Sequence, residues 1–406
     1  MTQALERWRP ARGEFDRAAA AHLLGRAGLG ISRQQLERAV VNGLDATLDA
    51  LFEEPEHDPT LLTSIDLLLG TGSIESLQAW WMALMLGGRA PLRERLTLFW
   101  HDHFATAWDK VRDTRLMHRQ NALFRKHGSG DFRVLLREVA RDPAMLVWLD
   151  GNSNRKGHAN ENFAREVMEL FALGIGNYSE RDVSEAARAF TGWGVDGRRF
   201  RFAAADHDGG EKNLFGKVGR WDGDRALELI LAQPVCARHV CRSLLQEYGG
   251  SAPTAAEVEP LAAELVRNDW NIAPVLRTIL SSRWFFAPER RACRIAGPVE
   301  LVVRVQARLE LSLAPARAAA ACESMGQALF RPPSVKGWDG GRAWINAGTW
   351  LARHEYMVEL AREAARDERA EAMARELASE HAVECGSLAP VEAMATILTS
   401  PQFHLA

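Results

Sequence analysis

Apolar residues recur at three- and four-residue steps along almost the whole chain, so the pattern predicts a succession of amphipathic helices. Residues 14–26 (EFDRAAAAHLLGR) keep this period and stop at Gly28-Leu29-Gly30. Ser32 and Gln35 make a capping-box pattern that starts the next helix, and Gly43 is expected to end it. A short helix from Asp45 to Glu54 then runs into Pro55 and the acidic linker EEPEHDP. Ser73 to Leu86 is an apolar helix closed by Gly87-Gly88, and Pro91 stands where a first helical residue belongs. One helix is predicted over residues 110–127, Asp131 caps another to Arg141, and Pro143 opens a short apolar turn.

The most ordered stretch runs from His158 to Gly176 and reads as a helix of about four turns. On a 100° wheel, Phe163, Val167, Leu170 and Phe171 share a core-facing side. Asn162, Glu166 and Glu169 form a stripe opposite them, with Arg165 on its edge and Asn160 at its start. Ser179 and Asp182 then cap a helix to Phe190. The one convincing β signal follows, with residues 193–195 and 198–202 alternating around Asp196-Gly197, a preferred type I′ pair. Helices are predicted at residues 222–232, 234–248, 255–267, 272–282, 298–311 and 314–328, and from Thr349 onward. The interval from Phe330 to Gly348 interrupts them with two prolines, four glycines and two tryptophans. The expected fold is therefore mainly α, a multi-helix globular assembly with one short hairpin near residues 193–202. We expect a single helical domain over residues 1–406, with a hinge candidate at 249–254 and charged helices over 349–400.

Composition changes this picture little. Hydrophobic residues make up 47% and charged residues 25%, as in an ordinary folded protein, which argues against disorder. A net charge of −3 argues against a nucleic-acid partner. No apolar run reaches the length of a membrane span, and the N-terminal residues show no signal-peptide pattern, so a cytoplasmic location is the expectation. The five cysteines lack metal-knuckle spacing and read as core or incidental thiols of a reducing compartment.

Four polar clusters carry candidate chemistry. His101 and His103 flank Asp102; on a continuous helix they point about 200° apart. Either one is a buried, hydrogen-bonded ring and the other exposed, or one is a metal ligand or general base with Asp102 orienting a neighbour. Glu166 and Glu169 are candidate catalytic carboxylates, able to share a proton or, with His101 and His103, to hold a divalent metal. The competing view makes Glu169 a water-facing side chain and Arg165 a surface ion-pair partner. His207, Asp208 and Lys212 lie in a glycine-bearing loop where a lysine could neutralise an anionic substrate, or could simply belong to a solvated turn. Lys336, Trp338, Trp344 and Asn346, with Asn160, Asn162 and Arg165, are substrate-binding candidates, since aromatic faces beside hydrogen-bonding groups suit sugar rings. A tryptophan that clamps helices together is the alternative. No nucleophile elbow, dinucleotide fingerprint or HExxH motif occurs.

Taken together, the stretches AAHLLGRAGLG, FWHDHFAT, NENFAREVMELFALGIGNYSERDVSEAARAFTGW, HDGGEK and GQALFRPPSVKGWDGGRAWINAGTWLAR resemble the bacterial domain-of-unknown-function family 1800, over roughly residues 18–355. The resemblance implies no assigned activity. It implies relatives that are often exported, encoded beside a twin-arginine-exported protein resembling sulfatases or phosphatases. Two functions follow as expectations: a hydrolase or group-transfer enzyme acting on a carbohydrate or ester, or a non-catalytic helical partner of that exported protein.

Overall fold

A computed structural model describes residues 5–53 and 59–406. Most of the linker expected between Glu53 and Pro59 lies outside the described residues. The chain is mainly helical, with two small antiparallel hairpins. Helix starts fall where local chemistry places them. Asp16 accepts from Ala19 N at the head of Arg17–Ala27, the Ser32/Gln35 box opens Arg33–Phe52, and Asp131 caps Phe132–Ala140. Gly43 breaks Arg33–Phe52 as a kink with φ +80°, so the chain turns there without leaving the helix for long.

Three local expectations are corrected. The helix expected over 110–127 is two pieces, Trp108–Val111 and Thr114–His127. Arg112 enters the left-handed region (φ +53°), and Asp113 accepts from Arg115 N and Leu116 N to restart the helix. The first hairpin pairs β1 (Trp193–Asp196) with β2 (Arg199–Phe202), so its two-residue loop is Gly197-Arg198. Gly197 alone of that pair has positive φ (+59°), which matches a type II′ turn with glycine first. A second hairpin was not foreseen: β3 (Lys212–Leu214) pairs with β4 (Lys217–Gly219). Phe215 (φ +52°) and Gly216 (φ +76°) turn it, and Asp182 Oδ1 holds Phe215 N at 2.8 Å.

Two apolar clusters form the interior. One gathers the N-terminal helices with residues 124–286, and the other gathers residues 65–85, 296–330 and the C-terminal helices. The Pro91–His103 helix lies between them: Leu92, Leu96 and Trp100 enter the first cluster and Leu98 the second. Trp100 is fully buried, with Nε1 donating to Gly128 O at 2.8 Å. Burying one such side chain contributes on the order of 2–3 kcal/mol. Among the described residues no helix is long and apolar enough to cross a membrane. The five cysteines are free, and Cys236, Cys241 and Cys322 are buried in the interior.

Candidate active site

A helix that separates two cores must still place its polar positions somewhere. On Pro91–His103, Arg95, Leu98, Phe99 and Asp102 follow at i, i+3, i+4 and i+7, which puts them on one face. That face forms a wall of a cleft of about 320 Å³. The helix Pro234–Gly249 supplies Gln246 and Glu247, the start of Pro298–Arg308 supplies Glu300, and the loop after residue 337 supplies Trp338, Asp339 and Trp344.

Asp102 is the focal group. Its Oδ1 accepts from Trp338 N at 2.8 Å, so the glycine-rich loop is seated on the carboxyl. Gly337 permits this approach: it has φ +78°, and a Cβ there would stand 2.1 Å from Asp102 Oδ1. Burial pushes the Asp102 carboxyl up to about 7, with repulsion from Glu247 and Asp339 adding to the rise against the opposing Trp338 N–H. A carboxyl that carries its proton near neutral pH is a competent general acid.

Behind it lies an ion-pair chain. Arg95 is buried and meets Glu247 at 2.7 Å and Glu300 at 3.5 Å; Arg294 meets Glu300 at 2.7 Å. Burial alone would raise Glu300, but Arg294, Arg95, Arg304 and Arg26 pull it down to about 2. Burial likewise opposes the charge of Arg95, and Glu247 with Glu300 raises it. Two acids at one cleft are therefore pushed in opposite directions, Asp102 toward its protonated form and Glu300 toward its ionised one.

The histidines beside Asp102 are turned to other work. His101 Nε2 accepts from Phe330 N at 3.1 Å, and burial lowers the ring to about 3, so it is neutral and acts as an acceptor. Phe330 is itself left-handed (φ +62°). The ring lies against Trp81, Phe330 and Trp338, which places it beneath the cleft wall. His103 Nε2 bonds Phe171 O at 3.0 Å; burial, then His239, lowers it to about 3. His239 Nε2 bonds the adjacent Leu170 O at 2.9 Å.

Those two carbonyls explain a correction to the helix expected over 158–176. It is α from Glu161 to Glu166 and π from Val167 to Ala172. A wider turn frees carbonyl groups at its end, and His103 and His239 donate to them. Glu166 and Glu169 still lie close together. Burial and then Glu169 raise Glu166, while Arg165 and Lys336 oppose the rise. Glu169 accepts from Tyr178 Oη at 2.7 Å. The structure thus brings Glu166, Glu169 and Lys336 into one patch, one residue of the loop away from Gly337.

The remaining candidates are engaged elsewhere. Arg165 pairs with Glu161 at 3.1 Å and Glu180 at 2.7 Å. Asn160 caps its helix through Asn162 N and bonds Ser153 Oγ at 2.6 Å; Asn162 Nδ2 reaches Leu149 O at 3.5 Å. Asn346 caps Ala347–Ala364 with Thr349. His207 Nδ1 bonds Thr191 O at 3.0 Å. Asp208 pairs with Arg188 at 2.7 Å, a contact that holds it near 2. Lys212 is buried and donates to Asp208 O at 2.5 Å and Gly210 O at 3.0 Å, closing the loop on itself. None of these three lines the cleft. Among the described residues no group of three or more His, Cys, Asp or Glu side chains is arranged to hold a metal ion, so His101, His103, Glu166 and Glu169 are not gathered as one. Of the expected substrate-binding residues, Trp338 and Trp344 do line the cleft. Arg95, Glu247 and Glu300 were not anticipated; the i, i+3, i+4, i+7 stripe ending at Asp102 is the signal that could have found Arg95.

A family model described as "Protein of unknown function (DUF1800)" matches residues 22–405. No curated protein and no solved structure shows a match.

Proposed function

We propose, for a chain that belongs to the DUF1800 family of proteins of unknown function, that the Asp102 cleft is the active site of an acid–base hydrolase or group-transfer enzyme acting on a carbohydrate or its ester. The observation that carries this reading is a carboxyl raised to about 7 in a cleft walled by Trp338 and Trp344. Tryptophan faces suit the apolar faces of sugar rings, and carboxylates suit their hydroxyls. In this reading Asp102 gives its proton to the leaving oxygen as the bond to carbon breaks. Glu247, ion-paired with Arg95, takes a proton from the attacking water or acceptor hydroxyl. Solvent exchange then restores both groups. The patch of Glu166, Glu169 and Lys336 would contact a substrate long enough to extend past the loop.

The test is an oligosaccharide and aryl-glycoside or aryl-ester panel, read by tryptophan fluorescence for binding and by released product for turnover. Binding that Trp338→Ala weakens, with turnover lost in Asp102→Asn, supports the reading. A wild-type protein that binds and turns over nothing in the panel overturns it. The second reading, a non-catalytic helical partner of a sulfatase- or phosphatase-like protein, draws support from one feature. His101, Asn160 and Lys212 spend their polar atoms on neighbouring backbone or capping contacts.

A further inference from the structure

A second cavity, of about 550 Å³, lies between the helices Arg17–Ala27 and Pro298–Arg308 and the C-terminal segment. Five arginines line it, Arg17, Arg26, Arg291, Arg304 and Arg308, against three acids, Asp16, Glu300 and Glu380. Each acid is already taken. Asp16 caps its helix at Ala19 N, Glu380 pairs with Arg17 and Arg308, and Glu300 pairs with Arg95 and Arg294.

Among the described residues Arg26, Arg291 and Arg304 make no direct ion pair with an Asp or Glu side chain, and Arg26 and Arg304 share the longer-range field of buried Glu300 with Arg95 and Arg294. Arg26, 1% exposed, donates to the backbone oxygens of Tyr248, Arg290 and Ala406. Arg304 donates to those of Leu405 and Phe403. The Nε atoms of Arg26, Arg291 and Arg304, and Nη1 of Arg308, meet no acceptor among the described residues. Four arginines, Arg26, Arg95, Arg294 and Arg304, act on the single buried carboxylate Glu300, so positive charge exceeds negative here, and an anion would offset that excess. The histidines at the cavity report the same field: burial and then Arg26 lower His22 to about 3, and burial and then Arg304 lower His381 to about 4, with Glu380 opposing.

We propose that this cavity binds an organic oxyanion of the phosphate- or sulfate-ester class. Arg26, Arg304 and Arg308 line the cavity from two helices, and guanidinium groups suit the oxygens of a tetrahedral anion. Ala21, Ile31 and Phe403 form an apolar remainder that would hold the organic part. The proposal is independent of the cleft reading, although Glu300 borders both cavities.

The experiment measures melting temperature and calorimetric binding of the full chain with sodium phosphate, sulfate, phenyl phosphate and phenyl sulfate, against chloride at matched ionic strength. One saturable site is expected, at which a phenyl ester binds at least tenfold tighter than its inorganic ion. The tighter of the two phenyl esters assigns phosphate or sulfate. Arg304→Met is expected to weaken binding at least tenfold and Arg308→Lys to retain it, while Arg220→Gln, an exposed arginine outside this cavity, changes nothing. Should Arg304→Met fail to fold by circular dichroism, Arg291→Gln takes its place. A wild-type protein that melts identically in phosphate, sulfate and chloride overturns the proposal. So does equal binding by all variants.

Discussion

Asp102→Asn is the substitution on which the cleft reading turns, because it separates stability from activity. In the folded chain the carboxyl keeps its proton up to about pH 7, whereas an unperturbed aspartate loses it near 3.8. Between those values the folded state holds more protons than the unfolded one, so stability falls as pH rises. Asparagine cannot ionise, yet its Oδ1 can still accept from Trp338 N, now 2.8 Å from the aspartate. At about 1.4 kcal/mol per pH unit, the interval from 3.8 to about 7 corresponds to at most about 4 kcal/mol. For a chain of this length that is roughly 5 °C in melting temperature.

The expected result is a variant that melts with wild type at pH 4 and above it by up to that amount at pH 8.5. If a substrate has been found, the same variant is expected to lose turnover by about 10²- to 10⁴-fold, the usual contribution of a general acid. Thermal melts of both proteins at half-unit steps from pH 4 to 8.5 make the measurement. A constant offset across that range, or a variant less stable than wild type at pH 8.5, would refute the argument that a costly proton is stored at this cleft.

Gly337→Ala is expected to cost more than about 2 kcal/mol, since it adds strain at φ +78° and a Cβ 2.1 Å from Asp102 Oδ1; a melt indistinguishable from wild type would contradict this. His101→Leu leaves Phe330 N–H without its acceptor and is expected to cost about 1–3 kcal/mol by urea titration. The loss is expected to be constant from pH 5 to 8, because the ring is neutral throughout that range with its value near 3. Lys212→Met removes the donor shared by Asp208 O and Gly210 O, so hydrogen exchange across residues 206–214 is expected to accelerate. Unchanged protection there would show that the loop closes without it.

The helical architecture was legible because its signals are local. Asp16, Ser32 with Gln35, Pro91 and Asp131 act within one turn of their own helix, so a reader of sequence sees both partners at once. The π segment at Val167–Ala172 was not legible, because the groups that complete it arrive from elsewhere. His103 and His239 are 68 and 69 residues from the carbonyls they meet. The second hairpin escaped notice for a similar reason: a phenylalanine rarely adopts positive φ, and Asp182 holds Phe215 N from a distant helix. In the cleft, tryptophans near glycines stood out as a composition, whereas Arg95 and Glu247 lie in ordinary helical stretches with no local signal to mark them. Only tertiary packing shows that Arg95 is buried.

What distinguishes the polar clusters from one another is how completely their hydrogen-bonding capacity is spent. Asn154 is buried, donates to Ala187 O and accepts from Asn160 N; Asn160 in turn caps the next helix and holds Ser153. Such a closed network fixes the entry to the Glu161–Glu166 helix and leaves little with which to bind a ligand. Asp102 differs. One oxygen seats the loop, and the carboxyl as a whole is held in an unfavourable field by burial, Glu247 and Asp339. Folding alone gains nothing from that arrangement, since an asparagine would supply the same acceptor to Trp338 at lower cost near neutral pH. A position where the chain keeps an ionisable group against the interest of stability, open to a cleft and flanked by aromatic faces, is where function is the simpler explanation. The same criterion separates the arginine cavity from the His207–Lys212 loop. Arg26 and Arg304 each keep an Nε without an acceptor among the described residues and share one carboxylate, Glu300, with two further arginines, whereas Asp208 and Lys212 are answered within their own loop and by Arg188.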